Sequence, residues 1–102
     1  MKDSFYKKRV TPPEIRRMFN SQCFFERVKS GELRAILMTD KHPSPPSSGQ
    51  PFCTHSQTLA YFDANDQEVA RVHQYKRPDG KIGASGRPDP KRIFVDDIIY
   101  YV

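Results

Sequence analysis

The sequence predicts an α+β domain in which an N-terminal helix packs on a four- to five-stranded antiparallel sheet. Two observations favour this class: a capped helical stripe near the N-terminus, and then runs of alternating β-forming residues joined by short polar turns. With 102 residues, 36% of them hydrophobic, the chain is expected to form a single domain over 1–102 with one modest core.

The helix is predicted from its cap and its apolar stripe. Thr11 is a favourable N-cap, prolines follow it, and Glu14 stands where a capping box places its carboxylate. The pattern predicts a helix from about Pro12 to Lys29, and a break at Asn20-Ser21 into two shorter helices is an alternative. The stripe has spacings of three and four and consists of Ile15, Met18, Phe19, Gln22, Phe25 and Val28.

Five segments have the composition of strands. Glu32–Thr39 is apolar on both faces, which favours a central position in the sheet. Gln57–Asp63 and Glu68–Lys76 are separated by a short polar turn and predict a hairpin. Arg92–Val95 and Ile98–Val102 flank Asp96-Asp97 and predict a second hairpin.

Two segments predict loops. His42–Pro51 has four prolines and three serines, so no regular element is expected there and we interpret it as a flexible loop. From Arg77 to Lys91 the chain is rich in turn residues and basic, and loops of this length inside a domain usually have a function.

The basic residues are concentrated in one stretch. Residues 71–92 contain seven basic and two acidic side chains, a sum of +5 that equals the net charge of the whole chain. An Arg-Pro-Asp pattern occurs twice in it, at Arg77 and at Arg87, on either side of a glycine-containing segment that would suit an anion. A solvated basic linker is the alternative interpretation. The candidate nucleic-acid-binding residues are Lys76, Arg77, Lys81, Ser85, Arg87, Lys91 and Arg92.

The predicted partner is therefore nucleic acid, RNA in preference to DNA, and an acidic protein is the alternative partner. The glycine segment lacks the Lys-Ser/Thr pair of a nucleoside triphosphate loop, so no nucleotide cofactor is expected. Cysteines and histidines are too scattered for a zinc site, and no metal or other cofactor is predicted.

A strand face suggests chemistry. Arg71, His73 and Tyr75 alternate along one strand and should share one face. A metal-independent ribonuclease needs proton-transfer groups and a cation at the phosphate, for which His73, Tyr75 and Arg71 are candidates, with His55 as the second imidazole. The alternative is that His73 and Tyr75 are ordinary packed sheet residues.

The order of elements resembles that of small bacterial ribonuclease toxins of the barnase, RelE and EndoU kind. The residues that carry this resemblance are the segments 71–75 (RVHQY) and 86–91 (GRPDPK), and it concerns the layout of about the last seventy residues. The resemblance implies RNA bound in a cleft of the sheet without a metal.

The sequence also predicts where the chain resides. No apolar run approaches the ~20 residues of a membrane-spanning helix, and the charged N-terminus is unlike a signal peptide. Two cysteines, Cys23 and Cys53, are expected to be free thiols. A cytoplasmic location without membrane contact is the expectation.

Overall fold

The computed structural model describes residues 6–43, 46–83 and 86–102, in which two helices pack on one face of a six-stranded sheet. Across the sheet the strands follow the order β1-β6-β5-β4-β3-β2, and all neighbours are antiparallel except β1 and β6. The α+β prediction is confirmed, with one strand more than expected. The elements are β1 (Tyr6–Arg9), α1 (Pro12–Ser21), α2 (Phe24–Lys29), β2 (Arg34–Lys41), β3 (His55–Phe62), β4 (Glu68–Lys76), β5 (Asp89–Val95) and β6 (Ile98–Tyr101).

The predicted cap of the first helix is confirmed. The Glu14 backbone N–H donates to Thr11 Oγ1 over 3.3 Å, and the Thr11 hydroxyl donates to the Glu14 carboxylate over 2.9 Å. A continuous helix to Lys29 is wrong, because Cys23 adopts a left-handed backbone with φ of 55° between α1 and α2. The alternative of two shorter helices is confirmed, with the break after Ser21, whose hydroxyl donates to the Met18 carbonyl in the last turn of α1.

The central position predicted for the strand in 32–39 is also wrong. β2 is an edge strand that pairs with β3, and its Ile36, Leu37 and Met38 are 43–49% exposed. Apolar residues on both faces imply burial on both faces only where helices cover both. Here the described helices lie on one face, and a bulge between Leu37 and Thr39 interrupts the pairing.

Both predicted hairpins are confirmed. In the β3–β4 turn the Asp63 carboxylate accepts from the backbone N–H groups of Asn65 and Gln67 at 2.8 and 3.1 Å. In the β5–β6 turn Asp96 takes a positive φ of 53°. β1 was not predicted, because its sequence YKKR does not alternate apolar and polar residues. Backbone hydrogen bonds to β6 and to Asp97 of the β5–β6 turn hold this strand in the sheet.

The described residues of the two predicted loops include some regular structure. A 3-10 turn, Pro46–Ser48, forms in the described part of the segment expected to have no regular element. The basic loop ends at Pro88 and not at Lys91, since β5 begins at Asp89. Residues 82 and 83 of this loop are hydrogen-bonded to β4: Ile82 forms a β-bridge with Lys76, and the Gly83 N–H donates to the Tyr75 carbonyl over 2.7 Å.

The core lies between the helices and one face of the sheet. Its buried members are Ile15, Phe19, Phe24, Leu33, Tyr61, Ala70, Val72 and Ile93. Because side chains alternate along a strand, the residues between these core positions point to the opposite face, which neither helix covers. We call this second surface the open face. Neither helix is long and apolar enough, in the part of the chain described, to span a lipid bilayer.

Candidate nucleic-acid interface

A row of side chains crosses the open face over all six strands. Each member is the register partner of the next, so neighbours lie on adjacent strands about 4.8 Å apart. Three of the six are arginines and one is a tyrosine. We call it the arginine row: Arg9 (β1), Tyr101 (β6), Arg92 (β5), Arg71 (β4), Ala60 (β3) and Ile36 (β2).

The arginines of the row differ in what balances their charge. Arg71 donates from Nε and from a terminal nitrogen to the two carboxylate oxygens of Glu68, at 2.9 and 3.0 Å. No acidic residue in the described ranges forms an ion pair with Arg9 or Arg92. Arg92 also lies directly opposite Arg71, a like-charge pairing that costs free energy. The row therefore presents positive charge that an anionic partner would neutralise.

A shallow depression of about 180 Å³ lies at one end of the row. Arg92 and Tyr101 form part of its lining, together with Lys7 and Ile99 from the same face. Two cations, an aromatic ring and an aliphatic side chain are thus grouped on the edge strand β1 and the two strands next to it, β6 and β5. This composition suits one nucleotide, whose phosphate needs cations and whose base needs a flat apolar contact.

Arg71, His73 and Tyr75 all lie on β4 at alternate positions, as the prediction of a shared face requires. A contact between two of their rings agrees with this. The His73 and Tyr75 rings meet edge to face, with centroids 4.7 Å apart. His73 Nε2 lies 2.8 Å from the Ser56 hydroxyl on β3. The histidine is therefore held in place by two neighbours.

Burial lowers the pKa of His73 below its ordinary value. The positive charge of Lys91 lowers it further, and the Asp89 carboxylate on the neighbouring strand acts in the opposite direction. The lowered pKa favours the neutral form of the His73 imidazole at pH 7. A neutral imidazole adds little electrostatic attraction for phosphate, but it can accept a proton.

This pKa gives a prediction about stability. The unfolded chain takes up a proton on His73 near pH 6.5, whereas the folded protein takes it up at lower pH. The unfolded state thus binds more protons in this range, so the free energy of unfolding should fall as the pH is lowered from 7 to 5. In His73→Gln this fall should be smaller than in wild type, as measured by urea unfolding at each pH. Equal pH dependence in the two proteins would contradict the prediction.

A cleft of about 460 Å³ opens beside β4, where β5 begins. At this point β4 stops pairing with β5 and pairs instead with the basic loop, through Lys76 and Ile82. His73, Tyr75, Arg87 and Lys91, all singled out from the sequence, contribute to the lining of the cleft. Asp89 lies among them and pairs with Lys91 at 2.9 Å and with Arg16 of α1 at 3.7 Å. Much of the positive charge at this cleft is therefore already neutralised.

The basic segment does not form one continuous surface. The Arg87 side chain packs against α2, where it forms an ion pair with Glu26 at 2.9 Å and covers the Phe25 ring. Its hydrogen bond lowers the pKa of Glu26. Arg77 donates to the Gln50 side chain over 3.0 Å. Lys81 is exposed, and the predicted Ser85 lies outside the described residues.

His55 does not join His73. The two histidines line different clefts, and His55 shares the face of Gln57 and Leu59, opposite the open face. The expectation that His55 serves as the second imidazole beside His73 is therefore wrong. Spacing along the chain gave no information on this, because the distance between the two histidines depends on which face of the sheet each one occupies.

The structure gives His55 a different partner, Asp40, which sequence reasoning did not single out. His55 Nδ1 lies 2.8 Å from an Asp40 carboxylate oxygen, and the His42 ring meets the His55 ring at a centroid distance of 4.0 Å. We call their surroundings the histidine cleft, about 410 Å³ in volume. Its lining consists of Asp40, His42, Cys53, His55, Gln57, Lys76, Arg77, Pro78 and Gly80.

No protein-family model matches the chain, and neither the curated proteins nor the solved structures show a significant match to it. The resemblance to ribonuclease toxins stays a prediction.

Proposed function

We propose that the protein binds single-stranded nucleic acid, RNA in preference to DNA, on the open face of its sheet. The observation that carries this proposal is the arginine row, in which Arg9 and Arg92 flank Tyr101 without an acidic partner among the described residues. Cations that a fold leaves unneutralised and in line are suited to a polyanion.

Aromatic side chains on the same face favour a single strand over a duplex. Tyr101 stands between the two arginines, and Tyr75 lies on the same face of β4, half-buried. Bases can stack on such rings when they are not already stacked in a helix. Proteins that recognise RNA mainly target unpaired loops and ends, which is why RNA is the preferred ligand in this proposal.

The surroundings of His73 favour binding over cleavage on this face. Its Nε2 is engaged by Ser56, and no second histidine lines the cleft beside it in the described part of the chain. Cleavage by proton transfer usually needs both an acid and a base. A cytoplasmic location belongs to the proposal and is favoured by the two free cysteines.

The test is a fluorescence anisotropy titration of the full chain with single-stranded RNA, single-stranded DNA of the same sequence, and duplex RNA, in EDTA. We expect the single-stranded RNA to bind most tightly, with an affinity that falls as salt is added. A gel of the same samples detects cleavage, and polyglutamate in place of RNA detects a preference for acidic proteins. Tighter binding of polyglutamate than of any nucleic acid would overturn the proposal.

A further inference from the structure

The histidine cleft is separate from the proposed RNA-binding surface, since it lies on the opposite face of the sheet. Lys76 of β4 is the register partner of His55 of β3, and Asp40 of β2 is the register partner of Gln57. Three adjacent strand ends thus bring a lysine, a histidine and a carboxylate to one corner. His42 and Arg77 follow directly after two of these strands and complete the group.

Asp40 determines which nitrogen of His55 can meet a ligand. A carboxylate accepts hydrogen bonds, so the proton between the two residues lies on His55 Nδ1. Nε2 is left for a ligand: it donates a hydrogen bond to a phosphate oxygen when the ring is charged, and when the ring is neutral it can accept one from the hydroxyl group of hydrogen phosphate. The same contact occupies Asp40, which reduces its repulsion of an anion.

Lys76 and Arg77 add positive charge beside the His55–Asp40 pair. Neither Lys76 nor Arg77 forms an ion pair with an acidic residue in the described ranges. Arg77 uses its Nε for Gln50, which fixes the guanidinium while its terminal nitrogens are left for a ligand. A fixed guanidinium and a mobile ammonium on one cleft are a common way to hold a phosphate.

We propose that the histidine cleft binds a phosphate monoester, the dianionic group found in inorganic phosphate, in a nucleotide and at the end of a nucleic-acid strand. A dianion suits the convergence of two cations and two imidazoles better than a backbone phosphodiester, which carries one charge and needs an exit on both sides. A metal ion fits less well, because the described residues contain no group of three or more His, Cys, Asp or Glu arranged to hold one.

The test is a titration of the full, ¹⁵N-labelled chain with inorganic phosphate at constant ionic strength. We expect saturable shifts of the His42 and His55 ring signals, with the His73 ring as an internal reference on the open face. Lys76→Ala should weaken phosphate binding about tenfold, the usual effect of losing one hydrogen bond to a charged group. Lys8→Ala is the matched control, because it removes the same charge from an exposed lysine that lines none of the clefts described above.

Equal affinity of Lys76→Ala and wild type would overturn the proposal, as would shifts that grow linearly in all three rings. His55→Gln supplies a second variant, and a thermal melt of each variant establishes that it is folded. Repeating the titration with a nucleoside 5′-monophosphate, and then with RNA carrying or lacking a terminal phosphate, identifies the source of the group. The result is independent of RNA binding on the open face, because phosphate shifts can persist in a protein that binds no RNA.

Discussion

Changing Arg9 and Arg92 together to glutamate is expected to abolish RNA binding while leaving the fold intact. Both side chains are exposed and have no acidic partners in the described part of the chain, so the substitution removes the cations that face phosphate in the proposed complex and leaves the interior of the protein unchanged. Removing two charge-assisted hydrogen bonds corresponds to roughly 100-fold or more in affinity. The slope of log affinity against log salt should also flatten by about 0.7 for each phosphate that the variant no longer neutralises.

The matched control is Arg17→Glu with Lys29→Glu. This variant makes the same change in net charge, at two exposed residues that lie outside the arginine row and line none of the three clefts. Anisotropy titrations of both variants should show nearly wild-type binding for the control. Equally weakened binding in the two variants would mean that RNA responds to total charge, and the arginine row would then have no special role.

Local signals in the sequence predicted much of the fold. The Thr11 cap and the two strand hairpins depend on residues within a few positions of one another, and the bounds predicted for β4, Glu68–Lys76, agree with the structure. The edge position of β2 and the existence of β1 depend on pairing with distant strands. No pattern within YKKR or within 32–39 indicates such a pairing. For this reason β1 was missed and β2 was placed at the centre of the sheet.

The candidate sites were predictable to a lesser degree, for the same reason. Alternation along one strand placed Arg71, His73 and Tyr75 together. The arginine row, in contrast, needs the register of six strands, and Arg9 comes from the strand that the sequence did not predict. His42 and His55 meet across a loop, which spacing along the chain does not encode. Concentrated charge in residues 71–92 predicted one surface, but the chain turns within that segment and distributes its cations over different faces.

The largest effect on stability is expected at Phe19. It is 1% exposed, and its ring lies 5.7 Å from the Phe24 ring and 6.1 Å from the Tyr61 ring, so it joins both helices to the sheet. Phe19→Ala removes this packing and leaves a cavity, at a cost of about 3–5 kcal/mol in the free energy of unfolding. Since a chain of this size has a total of about 5–15 kcal/mol, the variant should lose a large part of its stability.

The same substitution at an exposed phenylalanine is the control for this prediction. Phe52 is 82% exposed, so Phe52→Ala should leave the melting temperature almost unchanged. Phe19→Ala should lower it by at least about 12 °C, as followed by circular dichroism, because 1 kcal/mol corresponds to about 4–8 °C in a domain of this size. Similar melting temperatures for the two variants would mean that the helices do not depend on Phe19 for their packing. The open face would be affected as well, since the helix layer on Tyr61, Val72 and Ile93 supports the strands from which the arginine row projects.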